Sequence, residues 1–86
     1  MKSPMVGTFY KAPAPGEAPF VQVGDKVSAN ETLCIVEAMK LMNEIHAEEM
    51  GTVREVCIED ATPVEFGTVM FYIEPMMSGE AVGEGE

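Results

Sequence analysis

From residue 5 to residue 74 the chain is a succession of short apolar runs rich in Val, Ile, Thr, Phe and Tyr, separated by Gly, Pro, Asn and Asp. Runs of that composition suit a pleated, half-buried strand, and the residues between them suit turns. Strands are predicted at 5–10, 20–23, 32–38, 41–47, 52–58 and 69–74, with shorter pieces around Val27 and Val64. No stretch long enough for a packed helix keeps an apolar stripe at helical spacing. Residues 37–45 admit one turn of amphipathic helix, but the strand-like runs on both sides favour a hairpin there. The predicted class is all-β.

The pattern repeats within the chain. Val27-Ser-Ala-Asn-Glu-Thr-Leu-Cys-Ile-Val-Glu37 aligns with Val64-Glu-Phe-Gly-Thr-Val-Met-Phe-Tyr-Ile-Glu74 at an offset of 37. Met5-Val-Gly-Thr-Phe9 aligns with Glu49-Met-Gly-Thr-Val53 at an offset of 44, which matches Gly7 to Gly51. The first half therefore holds seven more residues between its glycine and its valine. They fall in Lys11-Ala-Pro-Ala-Pro-Gly-Glu-Ala-Pro19, whose prolines predict a stiff, extended projection.

Two such halves each need the other to cover an apolar face, which implies a flattened barrel or sandwich with approximate twofold symmetry. Lys40 then falls in the hairpin joining the halves. Pro75 takes the place equivalent to Ala38, and the chain ends lie opposite the hairpin. One domain over 1–75 is expected, followed by an acidic, glycine-containing tail at 76–86 that has little to pack and should be disordered.

Composition narrows the function classes. With 86 residues there is room for one domain, and 47% hydrophobic with 23% charged residues is ordinary for a folded one. A net charge of −10, from 15 acidic against five basic residues, argues against nucleic acid or an anionic membrane as partner. It is compatible with docking on a basic cleft of another protein, and equally with a charge that keeps a small monomeric domain in solution. No apolar run approaches membrane-spanning length and no charged-then-apolar leader opens the chain, so the cytoplasm is the expected compartment, or the plastid stroma for a plant protein. Cys34 and Cys57 lie in apolar runs without CxxC spacing and are expected to be buried, reduced thiols. His46, the only histidine, has no partner at ligand spacing, so neither a metal site nor a Cys–His nucleophile is expected.

The candidate chemistry lies in Glu37-Ala38-Met39-Lys40-Leu41-Met42-Asn43-Glu44-Ile45. A turn at Met39-Lys40 would project the lysine amine into solvent, yet the dipeptides that favour tight hairpins are absent. A poor local turn kept at such a point is a sign that the residues serve something besides folding. On the residues alone, an exposed lysine is most often a solvated charge. Met39 and Met42 either present an adaptable surface or fill gaps in the core. Gly7, Gly24 and Gly51 are expected to serve turns or close strand packing.

Glu37-Ala-Met-Lys-Leu-Met42 resembles the attachment motif of the biotin-dependent carboxylases, and the likeness extends to Ser3-Pro-Met-Val-Gly-Thr-Phe-Tyr10, Val23-Gly-Asp-Lys-Val27, Leu33-Cys-Ile-Val36, Asn43-Glu-Ile45 and Gly51-Thr-Val53. Within that family the chain is most similar to the biotinyl carriers of multi-subunit acetyl-CoA carboxylases of bacterial or plastid type. The resemblance implies a flattened eight-stranded barrel with a protruding thumb between its second and third strands, here about residues 12–19. It implies covalent biotin on Lys40, flanked by Met39 and Met42, with thumb residues Ala12, Pro13, Ala14 and Pro15 near the cofactor. Some relatives have Thr where this chain has Ala12, so a hydroxyl contact to biotin is not available from that position.

The partners implied are a biotin protein ligase, which must help deprotonate the lysine, and then a biotin carboxylase and a carboxyltransferase between which carboxylate is carried toward malonyl-CoA for fatty acid synthesis. The carrier itself is no enzyme: no nucleophile–base set, metal cluster or phosphate-cradling loop is present. Two other readings stay open on the residues. Lipoyl carriers share a two-half barrel with a lysine at a hairpin tip, but typically place Asp-Lys-Ala there. A plain interaction module would leave Lys40 unmodified.

Overall fold

The computed structural model describes residues 1–75, and every regular element among them is a strand. They are β1 (Gly7–Tyr10), β2 (Lys26–Val27), β3 (Thr32–Ala38), β4 (Leu41–His46), β5 (Gly51–Val56), β6 (Thr62–Val64) and β7 (Phe71–Pro75). Two antiparallel sheets result, one in the order β4-β3-β1-β6 and one in the order β2-β5-β7. The all-β class and the two-layer arrangement follow the sequence pattern. The expected tail, 76–86, lies outside the described residues.

The register obeys the internal repeat. In the first sheet Gly7 pairs with Val64 and Thr8 with Glu37. In the second, Gly51 pairs with Val27 and Thr52 with Glu74, the same partners moved by the same offsets. The turns correspond as well. Asn30 (φ 70°) donates its N–H to Ala47 O at 2.7 Å, and Gly67 (φ 88°) donates to Ser3 O at 2.8 Å. The eighth strand is reduced to one bridge, Lys2↔Val69, which sits where His46 pairs with Thr32 in the other half.

Between the sheets lie Phe9, Leu33, Val36, Val53, Met70 and Phe71, all fully buried. Phe9 and Phe71, one from each sheet, pack tilted at 52° with ring centroids 5.8 Å apart. Gly7 and Gly51 let β1 and β5 approach their neighbours. A Cβ at Gly7 would overlap Glu37 O, and one at Gly51 would come within 2.5 Å of Glu74 O.

Two expectations are corrected. Residues 20–23 are loop, not strand. The Asp25 carboxylate accepts the Gln22 N–H at 2.9 Å, the Asp25 N–H closes a turn onto Gln22 O at 3.0 Å, and Gly24 has φ 97°. The side chain thus captures a donor that a ladder would need. The proline-rich projection is also not straight. Phe20 N–H donates to Lys11 O at 2.9 Å across its base, and Glu17 N–H to Ala14 O at 3.1 Å across its tip. Pro15 followed by Gly16 at φ 85° is the pairing a type II turn requires. The thumb is therefore a loop folded back on itself.

Candidate functional site

The β3–β4 hairpin closes on the Ala38↔Leu41 pair, leaving Met39 and Lys40 as its two central residues. Their φ angles are 54° and 67°. Two positive φ values in a two-residue loop mark the turn whose twist matches that of paired strands. For side chains other than glycine this conformation costs on the order of 1 kcal/mol or more per residue. The paired strands on either side hold it. Asn43 adds a clamp, its Nδ2 donating to Val36 O and to Leu41 O at 3.2 Å each.

Met39 is 92% exposed, and Lys40, Leu41 and Met42 are exposed with it. Neither flanking methionine fills the core. Lys40 takes part in no ion pair among the described residues.

Beside the hairpin lies a groove of about 470 Å³. The thumb forms one wall with Ala12, Pro13, Ala14 and Pro15, and the outer face of the first sheet forms the other with Tyr10, Glu37 and Met42. Asp60 and Ala61 close its end, and Asp60 Oδ1 also accepts the Lys11 N–H at 2.9 Å, tying down the root of the thumb. Tyr10 Oη donates to Glu37 Oε1 at 3.4 Å, so both polar groups of the sheet wall are linked. The structure thus brings Met42 and all four thumb residues to one groove. Lys40 and Met39 stand outside its lining.

Tyr10, Asp60, Ala61 and Asn43 were not singled out as site residues from the sequence. Only Asn43 carried a signal, as a residue disfavoured within a strand-like run. Glu44 lies apart from the groove and contacts His46 Nε2 at 3.2 Å. Cys34 is buried as expected, and burial pushes its thiol up to about 12. Cys57 is exposed, contrary to expectation: Val56 and Ile58 turn toward the core, so the residue between them faces out.

The Biotin_lipoyl family model, described as "Biotin-requiring enzyme", matches residues 1–73. The chain belongs to this family. Among relatives of this Biotin_lipoyl domain is the "Biotin carboxyl carrier protein of acetyl-CoA carboxylase 1, chloroplastic" of Arabidopsis thaliana, 57% identical over 75 residues that cover 87% of this chain and 27% of that protein. The biotin carboxyl carrier protein of acetyl-CoA carboxylase of Nostoc is 56% identical over 73 residues, 85% of this chain and 40% of its own. The protein of that name from Pseudomonas aeruginosa is 52% identical over 73 residues, 85% of this chain and 47% of its own. The domain spans less than half the length of these relatives. Its fold is shared with the crystal structure of the urea carboxylase of Kluyveromyces lactis, with a TM-score of 0.72 and 30% identity over 86% of this chain and 6% of that one.

Proposed function

We propose that this domain carries biotin in amide linkage on Lys40 and conveys carboxylate from a biotin carboxylase site to the carboxyltransferase site of acetyl-CoA carboxylase, in the cytoplasm or plastid stroma. The observation that carries the reading is the lysine held outward at a strained two-residue turn, within Ala38-Met39-Lys40-Leu41-Met42. Strain that persists where a better turn sequence exists points to selection for those side chains. The likeness to carriers of acetyl-CoA carboxylase supports the choice of cofactor and of overall reaction.

The groove fits the cofactor in size and character. Its apolar thumb wall of Ala12, Pro13, Ala14 and Pro15 faces a sheet wall on which Met42 lies beside Tyr10 and Glu37, and the polar groups of Tyr10, Glu37 and Asp60 can accept ureido N–H bonds. Ala12 has no hydroxyl, so recognition there falls to backbone and to the sheet wall. When bound, biotin supplies a ureido nitrogen able to take up carboxylate. The domain's own part is mechanical. Lys40 would hold biotin in amide linkage: its Nζ, once a base of the ligase has taken its proton, would attack the activated carboxyl carbon and displace the leaving group. Thereafter the hairpin presents the arm, and tethering raises its effective concentration at each enzyme site.

The test is transfer itself. Biotinylated domain, incubated with biotin carboxylase, Mg-ATP and labelled bicarbonate, should acquire acid-labile label, whereas the Lys40→Arg variant treated with the ligase should acquire none. Equal labelling of both would refute the assignment.

A further inference from the structure

The register places an apolar strip along the end of the first sheet that bears Lys40. Gly7 pairs with Val64 and lies beside Glu37, so Val6 and the residues after Val64 continue past the sheet at the level of the β3–β4 tip. Across that end, in sheet order, come Leu41, Met39, Val6 and Phe66. They are 64%, 92%, 66% and 77% exposed. Three strand spacings separate the outer members, about 14 Å.

The internal repeat supplies a control for whether folding needs these side chains. Phe66 corresponds to Ala29. In the turn at Phe66, Thr68 N–H donates to Glu65 O at 3.0 Å and Glu65 N–H to Thr68 Oγ1 at 2.9 Å. In the turn at Ala29, Glu31 N–H donates to Ser28 O at 3.1 Å and Ser28 N–H to Glu31 Oε1 at 2.8 Å. The same turn thus forms with a methyl group as with a phenyl ring, and neither ring nor methyl joins the core. Phe66 has no folding task that Ala29 does not already perform. What distinguishes its turn is its place, at the lysine end of the molecule.

We infer that Phe66, with Val6 and Met39, is the docking ledge for the enzyme that acylates Lys40. This inference rests on the function proposed above. An active site closing around the Lys40 amine must pass within a side chain's length of Met39, and a contact patch of ordinary size then extends over Val6 to Phe66. Glu65 adjoins the ring and Glu37 adjoins the hairpin, in a chain of net charge −10. The matching surface is accordingly apolar at its centre and rimmed by Lys or Arg.

The experiment measures kcat and KM of a biotin protein ligase with the full chain as acceptor. Phe66→Ala, which installs the residue the other half already uses, should raise KM about tenfold while kcat stays within about twofold. Phe66→Leu should restore most of the loss, and Val23→Ala, an exposed apolar residue off the strip, should behave as wild type. Raising the salt concentration should increase KM for wild type as the rim charges are screened. A wild-type KM for Phe66→Ala, or an equal rise for Val23→Ala, would overturn the inference while leaving the carrier reading intact. Failure of an active ligase to modify the wild-type chain would instead refute the carrier reading, and this inference with it.

Discussion

Replacing the tip dipeptide by Asn-Gly tests whether the hairpin stores strain for the sake of its side chains. Met39 and Lys40 both adopt positive φ, at 54° and 67°, and both are exposed, so substitution sacrifices no buried surface. Relief of the left-handed conformation is worth on the order of 1 kcal/mol or more at each residue. Glycine gives back about 0.5–1 kcal/mol through the greater freedom of the unfolded chain. The double variant Met39→Asn/Lys40→Gly should therefore be more stable than wild type by about 1–2 kcal/mol. For a domain of this size that corresponds to a rise in Tm of roughly 5–10 °C. Thermal unfolding followed by circular dichroism measures it directly. The single variant Met39→Asn keeps the lysine and should show about half the gain. A Tm equal to or below wild type in the double variant would refute the claim that the turn is strained.

Other consequences follow from the packing. Gly7→Ala and Gly51→Ala should each cost about 2 kcal/mol or more in urea unfolding, because the added methyl meets a neighbouring carbonyl in a closed ladder. Asn43→Ala, which removes both bonds behind the tip, should cost about 1 kcal/mol and increase proteolytic nicking at the hairpin. Below pH 9 Cys34 is protonated in both folded and unfolded chains, and above it the unfolded thiol ionises while burial holds the folded one to about 12. Stability should thus be intact below pH 9 and fall between 9 and 12, by up to about 1.4 kcal/mol per pH unit, with a shallower fall in Cys34→Ala. A thiol reagent at pH 8 should label Cys57 alone in the folded protein, and both cysteines in urea.

Much of the fold was legible because the repeat left physical marks at paired positions. Gly7 and Gly51 recur because each strand pair demands the same close approach, and Val27 and Val64 because each pairs with that glycine. The strand at 32–38 is legible in its unbroken β-favouring run, and the one expected at 41–47, which ends at His46, is legible despite Asn43 and Glu44 because it must return from that run as a hairpin. Residues 20–23 misled because Phe20 and Val21 do pack inward while Asp25 diverts the backbone into a turn. The bend at Met39-Lys40 could not be read from turn chemistry, since the strands impose it against local preference. Lys40 and the methionines were visible as a motif, and the groove was not. Tyr10, Glu37 and Asp60 are far apart in the chain, and only the pairing of β1 with β3 and β6 brings them together.

The carrier assignment stands or falls most directly on the intact mass of this domain before and after incubation with biotin, ATP and an active biotin protein ligase, alongside Lys40→Arg. The account requires a gain of one biotinyl group by the wild type and none by the variant. An unchanged mass for folded, initially unmodified wild type, or an equal gain by Lys40→Arg, would contradict it.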